Sequence, residues 1–408
     1  MRLRLPIALL LSGVSLLALQ GCTRLAIREP TSAPGDAPNA IRTLGPDQRF
    51  STLTSKSVAS RLRAAQHGGQ GINILALSGG GANGAFGAGA LVGLTRSGSR
   101  PAFSVVSGVS TGALIAPYAF LGPAWDEKLI EVYTSGCAEH LLRSRGLTAF
   151  FGSSFYRGEP LKELVDRYAT AELIQAVAHE ASTGRLLLVA TTDVSTGEAV
   201  VWDLGSIALN GGSGARAMFR DVLIASASVP GMFPPVAFCV QRERAVYEEF
   251  HVDGTTTVPF FVPVAFVEPP ADASVHGTAV YVIVDGRLSE PPASIRLRTK
   301  SILVRSVSAG LNYMLRTTLE LAAADAQREG AQFQFAAIAG DYPQIQSFDF
   351  RTSNMRLLFQ YGYYCAQTGR LWISSRGHGS DGASRTSSVA QETHCPVDDE
   401  SIARFAKR

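Results

Sequence analysis

The sequence predicts an α/β protein in which a mainly parallel central sheet is covered by helices on both faces. Three observations lead there. Short apolar runs at residues 72–77, 103–106 and Ala279–Val284 have the length and apolar continuity of strands buried on both sides. Longer stretches of helical pattern alternate with them. The junctions after the first two runs are rich in glycine, as sharp strand-to-helix turns require.

In chain order, residues 72–77 read as the first buried strand. Residues 82–95, rich in Ala, Gly and Leu, read as a tightly packed helix. Residues 103–106 are the second strand, and Thr111–Leu121 an apolar helix. Residues 161–179 form an amphipathic helical stretch, and 186–191 and 199–203 read as strands. After Ala279–Val284 come a long helix over 306–328, a strand over 333–338 and a helix over 354–367. Residues 374–392 are dense in Ser, Gly, Thr and Arg and read as a loop or disordered segment.

The 408 residues are 46% hydrophobic, enough to bury a large core. Basic and acidic residues number 37 and 34, a net charge of +3. A surface so near neutrality lacks the concentrated basic face that nucleic acid binding needs. Beyond residue 22 no unbroken apolar run reaches the ~18 residues of a spanning helix.

Residues 1–22 are different. Arg2 and Arg4 precede an apolar stretch over 5–19, and Leu19-Gln20-Gly21-Cys22 follows. This reads as an export signal, and its ending resembles a bacterial lipobox in which Cys22 is lipidated and becomes the mature N-terminus. A plain secretory signal with an incidental Cys22 is the alternative. Acyl chains on Cys22 would anchor the protein to membrane. Thr23 in place of Asp fits the outer membrane of a Gram-negative envelope, facing the periplasm or the surface. Residues 23–70 are polar and turn-rich and read as a tether, ending in a short helix near 57–66. The expected organisation is therefore signal 1–22, tether 23–70, main α/β domain 71–345, and a C-terminal helix and flexible tail over 346–408.

Export makes disulfides possible among Cys137, Cys239, Cys365 and Cys395. A Cys365–Cys395 pair would clip the tail, while buried free thiols are equally ordinary. Neither Cys-x-x-Cys nor His-x-x-x-His spacing occurs, so no metal site or cofactor is expected.

The clearest chemical signal is Gly108-Val109-Ser110-Thr111-Gly112. It follows a strand and opens a helix, the setting of a nucleophile elbow that holds Ser110 strained and exposed. The helix start adds partial positive charge near the oxygen. Upstream, Gly79-Gly80-Gly81-Ala82-Asn83-Gly84 joins the first strand to the first helix. Successive glycines can aim several N–H groups at one anion, such as the oxygen of a tetrahedral intermediate. A nucleotide phosphate loop is disfavoured because no Lys-Ser/Thr follows; a glycine-rich helix merely packed on a sheet is the bland alternative. A base for Ser110 could be a downstream histidine, but His276, His378 and His394 lack strand-end settings. Asp253-Gly254 and Asp285-Gly286 are the rival carboxylates, with Asp381-Gly382 a third turn signal. His251 shares a strand face with Asp253 if that segment is extended, as a supporting partner, a cryptic base or an ordinary core histidine.

The order of these motifs, including Ala225-Ser226 and Val229-Pro230-Gly231-Met232-Phe233-Pro234-Pro235 ahead of Asp253-Gly254, resembles the patatin-like phospholipases over residues 72–265. The resemblance implies a three-layer sandwich and a Ser–Asp dyad: Ser110 as nucleophile, Asp253 as base, and Gly79, Gly80 and Gly81 as oxyanion hole. Asn83, Gly84, Gly108, Gly112 and Gly254 complete the motifs. It implies hydrolysis of lipid carboxylic esters, a phospholipase A type of activity without cofactor. Acyl transfer, or a non-catalytic envelope binding or assembly role on the same fold, are the alternatives. Two departures stand out: Asn83 replaces the family's Lys or Arg, and Thr255 follows Asp-Gly where Gly or Ala is usual.

Overall fold

The computed structural model describes residues 41–44, 50–53, 55–65, 71–146, 152–242, 245–263, 277–289, 297–343, 346–374 and Cys395. The expected signal with Cys22, nearly all of the 374–392 loop, Asp381-Gly382 and the three downstream histidines lie outside the described residues.

In chain order the elements are β1 (Ile41–Leu44), β2 (Phe50–Leu53), α1 (Ser55–Ala65), β3 (Asn73–Leu77), α2 (Gly84–Arg96), β4 (Val105–Val109), α3 (Thr111–Leu121) and α4 (Asp126–Thr134). There follow α5 (Glu159–Tyr168), α6 (Ala171–Ser182), β5 (Leu186–Asp193), β6 (Glu198–Asp203), α7 (Leu204–Asn210), α8 (Gly212–Ser226), β7 (Val236–Arg242) and β8 (Ala245–Asp253). The chain then forms β9 (Ala279–Val284), α9 (Thr299–Arg328), β10 (Gln332–Ala337), α10 (Thr352–Gln367) and β11 (Ile373–Ser374).

These strands form one sheet in the order β11-β10-β9-β3-β4-β5-β6-β1-β2, with β8 pairing the end of β5 and β7 pairing β8. The stretch β10-β9-β3-β4-β5 is parallel throughout. Strand pleat divides its side chains between two cores. Leu75 and Leu77 of β3, with Leu187 and Val189 of β5, enter a core shared with α2, α3 and α10. Ile74, Ala76, Leu186 and Leu188 enter a second core with Val58 and Leu62 of α1 and Leu315 and Leu319 of α9. The result is a three-layer α/β sandwich with a mostly parallel sheet, as the apolar runs predict.

Residues 41–44, 50–53 and 55–65, within the segment expected to be a tether, are folded onto the sheet. β1 runs parallel to β6, with Ile41 beside Val201. Arg42 and Glu249 form a buried ion pair at 2.5 Å. The expected helix over 161–179 is two helices: the chain turns at Ala169, and the Thr170 hydroxyl accepts from the Leu173 N–H at 3.2 Å to start α6. α10 belongs to the main core, burying Met355, Leu358 and Phe359. It lies so close to α2 that a Cβ at Gly89 would fall 1.9 Å from the Phe359 carbonyl oxygen. Cys365 and Cys395 form a disulfide. Among the described residues, no helix is long and apolar enough to cross a membrane.

Candidate active site

β4 ends at Val109, α3 begins at Thr111, and Ser110 between them has φ 56° and ψ −124°. Among the described residues it is the sole non-glycine with positive φ. Such a conformation costs ~1–3 kcal/mol and persists only where its surroundings fix it. Here the Ser110 N–H donates to Ser226 Oγ at 3.0 Å, and Ser226 Oγ donates to the Ala190 carbonyl at 2.7 Å. The end of α8, the elbow and β5 are thereby tied through one hydroxyl. Gly112 is required by close approach, since a Cβ there would lie 2.4 Å from the Leu77 carbonyl oxygen. Gly108 faces Gly112 across the turn, and Gly84 opens α2 against Thr111.

Ser110 Oγ donates to Asp253 Oδ2 at 2.5 Å. Asp253 ends β8, opposite Thr191 of β5. Its N–H donates to the Ser228 carbonyl at 2.9 Å, and its carbonyl accepts from Thr192 Oγ1 at 3.1 Å. Its second carboxylate oxygen accepts from the Thr255 N–H at 2.8 Å and from Thr255 Oγ1 at 2.6 Å. Thr255 therefore supplies a side-chain donor that glycine or alanine could not. Burial pushes the Asp253 carboxyl up, the hydrogen bonds from Ser110 and Thr255 pull it back, and it settles at about 6. Gly254 packs next to it against the Ala190 carbonyl.

The rival Asp285 lines the same cleft as Ser110 but is bonded to α2 rather than to the serine. Its Oδ1 accepts from the Gly87 N–H in the first turn of α2 at 2.9 Å. Its Oδ2 is buried without a partner, and burial holds this carboxyl well above the ordinary range. His251 is buried, and its ring nitrogens have partners other than the serine. Its Nδ1 meets Thr191 Oγ1 at 2.8 Å, its Nε2 meets Glu249 at 3.2 Å, and its ring packs against Phe238 and Trp202. Asp193, Glu249 and His251 bring donor atoms within 4.8 Å of one another, a spacing that could suit a cation. Protein groups already satisfy them: Arg42 pairs with Glu249, and the Ser195 N–H and hydroxyl both donate to Asp193.

The glycine loop departs from expectation at one amide. The Gly79 N–H donates to the Pro259 carbonyl at 3.1 Å and so is committed to the fold. Among the described residues, no acceptor meets the N–H of Gly80 or Gly81. Gly79 instead brings backbone close to the nucleophile: a Cβ there would sit 3.1 Å from Ser110 Cβ and 2.1 Å from Thr255 Cγ2. Asn83 turns its amide nitrogen toward Ser347 Oγ at 3.4 Å, and its buried Oδ1 has no partner. The loop, Ser110, Thr255, Asn83 and Asp285 line a cleft of about 250 Å³. Its walls include Leu311 and Leu315 of α9 together with Ile338, Phe348 and Leu358, and Arg287 lines it while donating to the Tyr342 carbonyl. A larger cavity of about 500 Å³ has Arg145, Arg157, Lys162 and Asp221 in its wall and includes neither Ser110 nor the glycine loop.

A three-layer α/β sandwich with a strained serine on its elbow, bonded to a buried carboxylate, defines a class of protein equipped as serine hydrolases are. Residues 75–265 match the family model described as patatin-like phospholipase. That segment is a patatin-like domain, of the kind found in a family of lipid acyl hydrolases. Among solved structures the chain is similar to VipD from Legionella pneumophila, at 10% identity and a TM-score of 0.29, covering 79% of this chain and 71% of that one. No curated protein gives a significant match.

Two groups at the site have no role in the motif reading. Ser226 sits in the Ala-Ser motif, but its tie to the Ser110 amide spans 116 residues of sequence. Thr255 was visible only as a departure from the family pattern. A hydroxyl two residues after an aspartate is a local hydrogen-bonding signal that could have been read.

Proposed function

We propose that the protein is a serine lipid-acyl hydrolase that cleaves carboxylic ester bonds of phospholipids or related lipids. The observation that carries this reading is the 2.5 Å hydrogen bond from Ser110 to Asp253 on the wall of a cleft that Gly80 and Gly81 also line. Ionised Asp253 takes the Ser110 proton as Oγ bonds to the ester carbonyl carbon. The carbonyl oxygen becomes an oxyanion, and the Gly80 and Gly81 N–H groups donate to it. When the intermediate collapses, the bond to the alcohol oxygen breaks and that oxygen takes the proton from Asp253. Water then adds to the acyl-serine, giving its proton to Asp253, and the proton returns to Ser110 as the fatty acid leaves. A carboxyl near 6 suits this exchange, because a base works best with a pKa near the operating pH.

Apolar walls from Leu311, Leu315, Ile338 and Phe348 suit an acyl chain. Neutral Asn83, where the family carries a cation, removes one charge from the head-group side of the site. The reading includes export and anchoring by lipid on Cys22 in the outer membrane, which would hold the enzyme at high local lipid concentration. A Cys365–Cys395 disulfide supports an oxidising compartment.

The test incubates the intact protein and Ser110→Ala with mixed phospholipids, with a short-chain p-nitrophenyl ester and with a fluorophosphonate probe. Labelling and fatty acid release by the unmutated protein alone, with a loss on the order of 10⁴-fold or more in Ser110→Ala, is the expected result. Full esterase activity in Ser110→Ala would sink the scheme. Acyl products appearing on an added alcohol rather than as free acid would make the protein a transferase.

A further inference from the structure

α9 breaks the rule by which helices of water-soluble domains are built. Its C-terminal half obeys it, burying Leu315, Leu319, Ala322 and Ala326 against the sheet. In its N-terminal half the ridge turned toward the protein is Ser301, Arg305, Ser308 and Asn312, all half-buried. Ser308 and Asn312 line the cleft that holds Ser110. The outward faces carry the apolar groups: Ile302, Leu303, Val304, Val307, Leu311 and Tyr313 are 41–66% exposed. Leu297, just before the helix, is 90% exposed. An apolar surface of this kind on a polar-backed helix calls for an apolar partner.

Charge says which partner. From Leu297 to Leu319 the sequence has four basic residues, Arg298, Lys300, Arg305 and Arg316, and no Asp or Glu. The whole chain is almost balanced, at 37 basic to 34 acidic. Arg305 lies on the inward ridge, but Arg298 and Arg316 are exposed, and a segment of apolar groups with basic ones and no acid has the charge of a helix lying in the interface of an anionic bilayer. Position agrees with charge. Leu311 is both exposed and part of the cleft wall, and across the cleft Phe348 is 40% exposed. A bilayer against this half of α9 therefore lies at the cleft mouth.

We infer that the N-terminal half of α9, with Phe348, is the surface on which the protein docks to an anionic lipid bilayer, opening its cleft onto the membrane. The inference rests on the lipid-hydrolase reading for its purpose, but docking can be measured without turnover. It is separate from anchoring at Cys22, which would hold the chain near a membrane without orienting it.

The experiment uses the full-length protein with phosphatidylglycerol-rich vesicles. A Leu303→Trp variant is added to vesicles whose phosphatidylglycerol chains are brominated, and the fluorescence above that of the three native tryptophans is followed. Quenching of the added indole is expected, weakening on the order of tenfold in vesicle affinity when phosphatidylcholine replaces the anionic lipid. In parallel, Leu303→Glu/Val307→Glu should lower hydrolysis of vesicle phospholipid at least tenfold and leave short-chain ester hydrolysis in solution unchanged. Both side chains are exposed, so folding should be unaffected; retained ester hydrolysis checks this. No quenching, with vesicle hydrolysis unchanged in the double variant, overturns the inference. So does a dimer that the double variant converts to monomer without quenching, since α9 would then meet a second copy. Quenching in a protein that hydrolyses neither substrate leaves docking standing and brings down the hydrolase reading instead.

Discussion

Asp253 accepts hydrogen bonds from two donors of Thr255 and one of Ser110, and none of these donors is a cation. A fully buried carboxylate so supported is costly to ionise, and its value of about 6 reflects that balance. As the proposed base, Asp253 must be ionised to act. The kcat/KM for a soluble ester should therefore fall about tenfold per pH unit below pH about 6 and level off above it. Thr255→Val removes a donor to the charged form, so the same limb should move to higher pH. A pH–rate profile of the two proteins checks this, and a limb unmoved in Thr255→Val would separate the base from Asp253. Stability carries the opposite sign. The native carboxyl holds its proton more tightly than the unfolded one at 3.8, so this group makes stability fall as pH rises from about 4 to about 6. At this scale much was legible in the sequence. Ser110 and Asp253 sit in local motifs, and local motifs are written in adjacent residues. Which glycine amide remains free was not legible, because Gly79 is taken by Pro259, 180 positions away. Nor was the choice against His251, which depends on Thr191 and Glu249 filling both of its ring nitrogens.

The elements that were legible are those whose own sequence carries their period. β3, α3 and β9 match their apolar runs almost residue for residue. β1 and the hairpin β7–β8 do not announce themselves, because what makes them strands comes from outside. β1 is four residues long, and its stability comes from pairing with β6 and from an arginine that meets Glu249 of β8. β8 in turn reads poorly as a buried strand because it carries Glu248, Glu249 and His251. Glu249 is tolerated there because its charge is paired. Burial alone would raise its carboxyl, but hydrogen bonds from His251 and Arg42 outweigh that and hold it at about 2. Removing one member of a buried pair strands the other, at a typical cost of ~3–5 kcal/mol. Arg42→Ala should therefore lower the unfolding free energy by about that much, read from urea melts. Arg42→Ala/Glu249→Gln should recover most of the loss. An Arg42→Ala protein as stable as the unmutated one would mean that β1 lies free of the sheet in solution and acts as part of a tether after all.

At the scale of the molecule, the two cores have different owners. One is closed by α1 and α9, the other by helices from α2 through α8 and then, much later in sequence, by α10. α10 seals the face of α2, and α2 begins where the glycine loop ends. The arrangement of Gly80 and Gly81 therefore depends on a helix more than 260 residues downstream, a dependence that no reading along the chain exposes. The Cys365–Cys395 bridge fastens the end of that helix to the tail, and the Tyr361 hydroxyl donates to the Cys395 carbonyl at 3.1 Å beside it. Its two cysteines stand 30 residues apart. Closing a loop of that size in the unfolded chain corresponds to about 3.5 kcal/mol in the chain-entropy account, an upper figure because strain and residual structure reduce it. Reduction with dithiothreitol should lower the urea midpoint accordingly, and Cys365→Ser/Cys395→Ser should match the reduced protein and respond to dithiothreitol no further. Because α10 supports α2, partial denaturation of the reduced protein should cost ester hydrolysis before it costs the sheet. Activity and far-ultraviolet circular dichroism, followed together through the urea transition, would show two separated midpoints. A single shared midpoint in the reduced protein would mean that α10 and the sheet unfold as one unit, with the bridge adding to total stability and nothing to the site.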